Sequence, residues 1–263
     1  MSKMQEEFIR KSLHQKRKIT CCRILLLVLL IGAWEAATRL GAMDAFIFSS
    51  PSRIVLCFLQ MVKDRMIFYH IGITLGETFI SFLLVIVIGI LLAILLWWNE
   101  SLAKILEPYL VVLNSLPKTA LAPVFIVWLG NNMKTIIVAA VSVAVFGTTI
   151  TLHNAFLEMD PEKIKLIQTL GGKKKEILCK LILPGNIPAI ISVMKVDIGL
   201  TLVGVIIGEF LAAKAGLGYL IVYGSQVFKL DYVLLSIVIL CLISTGLYLL
   251  ISFLEKICIK KYR

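Results

Sequence analysis

The chain has 263 residues, 59% of them hydrophobic and 16% charged, with a mean hydropathy of +0.95 and a net charge of +11. Soluble domains are about 45–50% apolar on a similar count, so this composition excludes a soluble fold and points to an all-α integral membrane protein. Such a positive balance in a soluble chain would suggest nucleic acid; here the basic residues gather at the ends of apolar runs, so the expected partner is the lipid bilayer and no nucleic acid.

In chain order, residues 1–23 form a basic arm carrying Lys3, Arg10, Lys11, Lys16, Arg17, Lys18 and Arg23. The apolar run that follows, Ile24 to Trp34, could belong to a signal peptide. It is followed by Glu35 and Arg39, a helical i, i+4 pair, and lacks a clear small-x-small cleavage site, so an uncleaved first span, Ile24 to about Leu40, is the preferred reading. Gly41 to His70 is mixed in character, with an amphipathic stretch after Ser50-Pro51-Ser52. Thr78 to Trp98 has no charge over a length sufficient to cross a core about 30 Å thick, and Trp97-Trp98 closes it as an interfacial pair. Upstream, Gly72 and Gly76 form a GxxxG pair that would permit close helix contact.

Asn99 to Glu107 reads as a short inner turn and Pro108 to Leu129 as a third span. Pro117 and Pro123 interrupt its hydrogen bonding, and Lys118 is a charge at membrane depth beside Asn114 and Ser115. Such a lysine either borders an aqueous path or is paired structurally, and the residues alone leave both open. Asn131 to Lys134 is an outer turn and Thr135 to Leu157 a fourth span. The fifth, Ala189 to Leu211, holds Lys195 and Asp197 near its inner end, Glu209 near its outer end, and a second glycine pair, Gly204 and Gly208. An outer connection, Ala212 to Asp231, leads to a charge-free sixth span, Tyr232 to Leu254, and a basic tail.

Between the fourth and fifth spans lies the longest polar interruption. Asp160 can cap a helix beginning at Pro161, whose missing N–H costs nothing there. Ile164, Ile167 and Leu170 make one apolar face, and Gly171-Gly172 stops the helix. A second amphipathic run carries Ile177, Leu178, Leu181 and Ile182, with Glu176 four residues before Lys180 in the favourable order; Pro184 and Pro188 are expected to end it. By composition this is a solvated loop held inside the cell by its lysines, or a docking surface for a soluble partner.

The loop resembles the EAA loop of ATP-binding-cassette importer permeases, in which Glu-Ala-Ala is followed by three residues, Gly, nine residues and Ile-x-Leu-Pro. Gly171 is followed by nine residues and then Leu181-Ile182-Leu183-Pro184, while the name-giving positions are Lys165, Leu166 and Ile167. Three other stretches resemble the nitrate, sulfonate and taurine subfamily of those permeases. They are Ser50-Pro51-Ser52, then Pro117, Ala120, Pro123, Trp128 and Gly130, and finally Glu209 followed by Gly216, Leu217 and Gly218. The resemblance implies six transmembrane helices in the type I ABC importer permease (MetI-like) fold. It implies a homodimer working with cytoplasmic ABC ATPase subunits and an extracytoplasmic substrate-binding protein. ATP and magnesium would sit on the ATPase and no cofactor in this chain. It places ATPase coupling at Ile164, Lys165, Leu166, Ile167, Thr169, Leu170, Gly171 and Gly172. The translocation pathway is expected at Asn114, Ser115, Pro117, Lys118 and Glu209.

The Lys and Arg count sets the orientation: eighteen fall on the side of the termini and central loop and seven on the other, with Lys118 and Lys195 inside spans. The excess puts both termini in the cytoplasm. Residues 1–23 are then a cytoplasmic arm, residues 24–254 the six-span domain with a cytoplasmic coupling loop at 158–188, and residues 255–263 a cytoplasmic tail. Cys21, Cys22, Cys179 and Cys258 fall inside, Cys241 within a span and only Cys57 outside, so no disulfide framework is expected. His14, His70 and His153 are scattered, giving no metal site or triad. No G-x-x-x-x-G-K-[ST] is present, so ATP hydrolysis belongs to another chain. The function expected is ATP-driven import of a small nutrient: nitrate-, sulfonate- or taurine-like, or a vitamin precursor. The alternative is a self-sufficient secondary transporter or channel. Lys118, Lys195, Asp197 and Glu209 support that alternative and the lack of a visible inverted repeat opposes it.

Overall fold

A computed structural model describes the backbone of residues 3–262 and the side chains of residue 15 and residues 18–257. The charges expected of Lys3, Arg10, Lys11, Lys16, Arg17, Lys260, Lys261 and Arg263, together with His14 and Cys258, lie outside those side chains.

Every described element is helical. In order they are α1 (Lys3–Arg39), α2 (Ala45–Phe48), α3 (Pro51–Lys63), α4 (Met66–Trp98), α5 (Glu100–Ser115), α6 (Lys118–Leu129) and α7 (Met133–Leu157). After these come α8 (Pro161–Thr169), α9 (Lys174–Ile177), α10 (Leu183–Gly185), α11 (Ile187–Ala212), α12 (Leu217–Gln226) and α13 (Leu230–Tyr262). Several starts follow from capping chemistry. Ser50 accepts from Arg53 N–H ahead of Pro51, Asn99 from Leu102 N–H, and Asn132 from Lys134 N–H, at 3.3, 3.1 and 2.9 Å. Each satisfies a donor that the first helical turn leaves free.

Among the described residues, five helices are long and apolar enough to cross a membrane: Lys18–Arg39, Met66–Trp98, Met133–Leu157, Ile187–Ala212 and Leu230–Ile257. The third span expected over Pro108 to Leu129, interrupted at its prolines, is a helix pair, α5 and α6. Taken together the two are long and apolar enough as well and are bent by 96°, which brings the candidate crossings to six if the pair is one span. The inner turn expected over Asn99 to Glu107 shrinks to Asn99, and the bend falls at Leu116-Pro117. A residue before proline is pushed out of the helical region, and Leu116 sits at φ −62°, ψ 138°. Pro123, expected to interrupt the span as well, is carried inside α6.

The bundle is organised on α7, which packs between α4 and α11. Gly204 and Gly208 of α11 let the backbones touch: a Cβ there would stand 2.7 Å from the Cα of Ala140 and 2.9 Å from that of Ile136. Small residues at such a seam supply close van der Waals packing where no hydrophobic drive exists. The pair Gly72 and Gly76 does not make such a contact within the chain, since both face open space. At the end of the bundle near α3 and α12, Met61, Ile67, Leu217, Leu235 and Ile239 form one apolar cluster; near the central loop, Leu152, Phe156, Ile177, Leu178 and Ile182 form another.

Helix α1 stands apart. Its residues Ile24 to Ile31 are exposed along their length, and the helix meets the rest of the chain through its last turns. There the Glu35 carboxylate accepts from Arg39 at 2.6 Å, as the spacing predicts, and also from the Ser52 N–H and hydroxyl at 3.1 and 2.8 Å. Arg53 donates to Asp231 at 2.9 Å and to the Ala45 carbonyl at 2.8 Å, so α3 is tied to the start of α13.

Candidate coupling loop and buried polar network

The central loop folds as its residues dictate. Asp160 accepts from Glu162 N–H at 2.9 Å and Pro161 opens α8. The helix ends in a Schellman motif: Gly171 N–H donates to Gln168 C=O at 3.0 Å and Gly172 N–H to Ile167 C=O at 2.8 Å. That motif needs a left-handed residue, and Gly171 supplies it at φ +81°. Gly172 is held by space instead, since a Cβ would meet the Ile167 carbonyl oxygen at 2.8 Å.

The apolar face read from three-residue spacing divides in the structure. Ile164 and Ile167 turn inward onto the cluster around Phe156 and Ile182. Leu166 and Leu170 point away from the chain, 59% and 79% exposed, beside exposed Lys165 and Thr169. α8 is therefore seated on its own bundle by one side and offers two leucines on the other.

Beyond the glycines, Glu176 turns back to accept from Lys173 N–H at 2.9 Å. Backbone N–H groups of Glu176 and Lys173 hold its carboxyl below the ordinary range, with the Lys180 and Lys173 charges adding to them. Lys174 donates to the Trp98 carbonyl at 2.6 Å and lies over the Trp97 and Trp98 rings at 5.5 and 5.9 Å. The loop is thus anchored to the C-terminal end of α4, a link that spacing could not reveal. The second run ends between its prolines, at Gly185, with Asn186 as the break before α11. Pro184 lies inside α10 and Pro188 in the first turn of α11. Pro184 has no N–H for the carbonyl four residues back and its ring crowds that group; the chain widens into a π turn at Leu178–Ile182 just before it.

Of the expected pathway residues, four meet at the α5–α6 bend. Lys118 donates to the Leu113 and Asn114 carbonyls at 2.8 and 2.5 Å, closing the C-terminal end of α5, and the Ser115 hydroxyl donates to Val111 C=O at 2.8 Å. A cation at a helix C-terminus is favourable, so the lysine has structural partners; it is half-buried, while Asn114 and Ser115 are exposed.

Glu209 is not brought to that group. It is 1% exposed, enclosed between α4, α11 and the start of α12. The Thr74 hydroxyl donates to its Oε1 at 2.6 Å and Gly218 N–H to its Oε2 at 2.5 Å, while Leu217 N–H donates to Thr74 Oγ1 at 2.8 Å. Gly216 N–H donates to His70 Nδ1 at 3.0 Å. The carboxylate occupies the N-terminus of α12, where unpaired N–H groups and the helix dipole favour an anion. The Gly-Leu-Gly pattern now has a physical reason: a Cβ at Gly216, whose φ is +121°, would overlap the Glu209 carboxylate, and one at Gly218 would stand 2.8 Å from its Oε2. The partners on α4 went unread, yet a signal existed. His70, Thr74, Glu77, Thr78 and Ser81 recur at helical spacing and all are buried, a polar stripe in an apolar helix. The other intramembrane charges have partners too: Lys195 is paired with Glu255, and Asp197 accepts from the Thr148 hydroxyl at 2.8 Å.

Residues 85–263 match the family described as binding-protein-dependent transport system inner membrane component. The chain belongs to that family. It is an ABC importer permease subunit of the MetI-like type. Over 195 residues the permease is 29% identical to the formylaminopyrimidine transport permease protein ThiX of Halalkalibacterium halodurans, covering 74% of this chain and 77% of that one. It is 26% identical to the putative aliphatic sulfonates transport permease protein SsuC of Bacillus subtilis, over 92% of this chain and 88% of the relative. It is 23% identical to the taurine transport system permease protein TauC of Escherichia coli, over 87% and 84%. Among solved structures, an inward-facing MetNI methionine ABC transporter superposes with a TM-score of 0.65 at 21% identity, covering 75% of this chain and 96% of that one. A bacterial ABC transporter importing the polysaccharide alginate gives 0.64 at 14% identity, over 97% and 99%. These likenesses share the fold.

Proposed function

We propose that the permease imports a small organic nutrient of the sulfonate, taurine or vitamin-precursor kind by alternating access. A separate ATPase, holding ATP and magnesium, drives it through α8. The observation that carries this reading is the α8 surface: a short helix, locked by a Schellman turn and seated on the inner core, with Leu166 and Leu170 presented outward. Nucleotide-driven movement of a partner gripping those leucines would reach the bundle through Ile164 and Ile167, and through Lys174 on α4. That is a rigid-body switch with the loop as lever. Two copies of the chain would form the pore, and an extracytoplasmic binding protein would deliver the substrate. Residues 1–23, 158–188 and 255–263 would face the cytoplasm. Uptake by reconstituted vesicles should require ATP and the ATPase chain; uptake driven by a proton gradient without an ATPase would favour a secondary transporter.

The orientation gives a direct check. A membrane-impermeant label on a cysteine placed at Lys175 should react only from the cytoplasmic side, and one placed at Lys229 only from outside. Both labels on one face would reverse the assignment.

Lys118 gives another. We infer that the α5–α6 bend, with exposed Asn114, Ser115 and Pro117 and half-buried Lys118, borders the central path between two copies. Lys118→Met should cut transport several-fold while ATPase assembly persists. The methionine keeps the stem but leaves two carbonyls without a donor, each worth about 1–3 kcal/mol if buried and less at this half-buried site. Normal transport in that variant would leave the lysine a purely structural role.

A further inference from the structure

The turn from α12 to α13 carries a strained aromatic residue. α12 ends in a Schellman motif like that of α8: Phe228 N–H donates to Ser225 C=O at 3.4 Å and Lys229 N–H to Gly224 C=O at 2.8 Å. The left-handed position that Gly171 fills in α8 is filled here by Phe228, at φ +55°. A bulky residue in that region is an outlier, and such strain collects at ligand clamps. Phe228 is also 69% exposed, so burial of its ring within the chain does not offset the strain.

The same residue borders a cavity of about 400 Å³, together with Phe46 of α2, Arg53, Leu56 and Gln60 of α3, and Lys229. The lining is of two kinds. Arg53 spends two of its five N–H groups on Asp231 and the Ala45 carbonyl. Lys229 is exposed, lies over the Tyr232 ring at 5.4 Å, and has no carboxylate partner among the described residues. Two cations against Asp231 leave the lining one positive charge in excess. Phe46, Leu56 and Phe228 are apolar and exposed, and Ile47, Phe48, Val55 and Leu59 extend that surface along α2 and α3. Short helices with such a face lie in the membrane interface. Tyr219, Tyr223 and Tyr232 stack beside them at 6.0 and 6.5 Å between centroids, and tyrosine is enriched at headgroup depth.

We propose that this cavity holds one anionic glycerophospholipid, its phosphodiester on Lys229 and Arg53 and an acyl chain along Phe228, Leu56 and Phe46. Charge-assisted bonds from Arg and Lys suit a phosphate, and basic pockets between membrane helices take lipid headgroups. A free phosphate would satisfy the cations but leave the apolar side chains uncovered. The lipid would tie α2 and α3 to the α12–α13 turn, whatever the cargo.

The test is native mass spectrometry of the full-length permease released from detergent. It is titrated with phosphatidylglycerol, phosphatidylcholine or glycerol 3-phosphate. A first saturable phosphatidylglycerol adduct is expected, tighter than that of phosphatidylcholine, with no saturation by glycerol 3-phosphate in the same range. Lys229→Gln should weaken phosphatidylglycerol about fivefold, since exposure limits the value of the contact, and Lys229→Arg should restore it. Phe228→Gly relieves the backbone, so it should raise the lipid-free thermal midpoint while weakening the lipid, a pairing that a purely structural role would not give. A diazirine-bearing phosphatidylglycerol should cross-link to peptides holding residues 46–60 and 228–232. Uniform labelling around the apolar belt, with Lys229→Gln binding undiminished, overturns the proposal in favour of ordinary bilayer contact or a protein partner. Saturation by glycerol 3-phosphate as tight as by the lipid overturns it in favour of a soluble phosphate.

Discussion

Replacing Gly171 by valine should leave the permease inserted in the membrane but unable to retain its ATPase through purification. Gly171 is at φ +81°, where an L-residue costs about 1–2 kcal/mol and a β-branched one more. The turn cannot easily relax, because the next residue is also constrained: a Cβ at Gly172 would strike the Ile167 carbonyl oxygen. Valine therefore breaks the pair of bonds to Gln168 and Ile167 that ends α8, and the helix frays toward its exposed leucines. Leu166 and Leu170 are the apolar groups available to a partner, and each buried leucine contributes about 1.5–3 kcal/mol. Every 1.4 kcal/mol is a factor of ten in affinity, so misplacing both moves association by orders of magnitude. Lys165→Ala should be mild, since an exposed charge is worth about 0–1 kcal/mol. Ile167→Ala should loosen the loop from its own core more than it changes the docking face, because that side chain points inward. Full co-purification and transport by the Gly171→Val protein would mean that another surface carries the coupling.

What could be read in the sequence follows the range of the physics involved. Caps, helix stops and apolar length are local, so Asp160, Pro161, Gly171 and the α4, α7, α11 and α13 spans were legible from neighbours in the chain. In the third span the interruption at Pro117 was legible but not its size, because apolar length says nothing about direction: Leu116-Pro117 turns the chain by 96° without changing its hydropathy. The two glycine pairs look alike in sequence, yet Gly204 and Gly208 meet α7 while Gly72 and Gly76 meet nothing in the chain. Which residue lies opposite is a tertiary fact. Pairings across long separations were invisible for the same reason, among them Lys174 with Trp98, Lys195 with Glu255, and Thr74 with Glu209. Glu209 is the clearest case: as a lone acid near the end of a span it suggested a pathway, and only the fold shows it capping α12.

That cap supports the second large effect: Glu209→Ala should release α12 from the bundle and lower the thermal unfolding midpoint of the purified permease by several degrees. The substitution leaves the Thr74 hydroxyl and the Gly218 N–H without an acceptor in a buried, lipid-enclosed site. Each buried unpaired group costs about 1–3 kcal/mol, against a total stability of about 5–15 kcal/mol. It also removes the anion from the α12 N-terminus, worth a further 0.3–1 kcal/mol or so. Glu209→Gln should fall between: one amide oxygen still accepts, but its NH₂ faces a second donor, so one of the two bonds is lost. Hydrogen exchange locates the damage. Amides of Gly216, Leu217 and Gly218 should lose protection in Glu209→Ala, since they donate to His70, Thr74 and Glu209. Amides of α8, at the opposite end of the molecule, should keep theirs. A midpoint that does not move, with residues 216–218 still protected, would show that the apolar contacts of Leu217 and Leu220 within the cluster around Met61 and Ile67 hold α12 without the carboxylate.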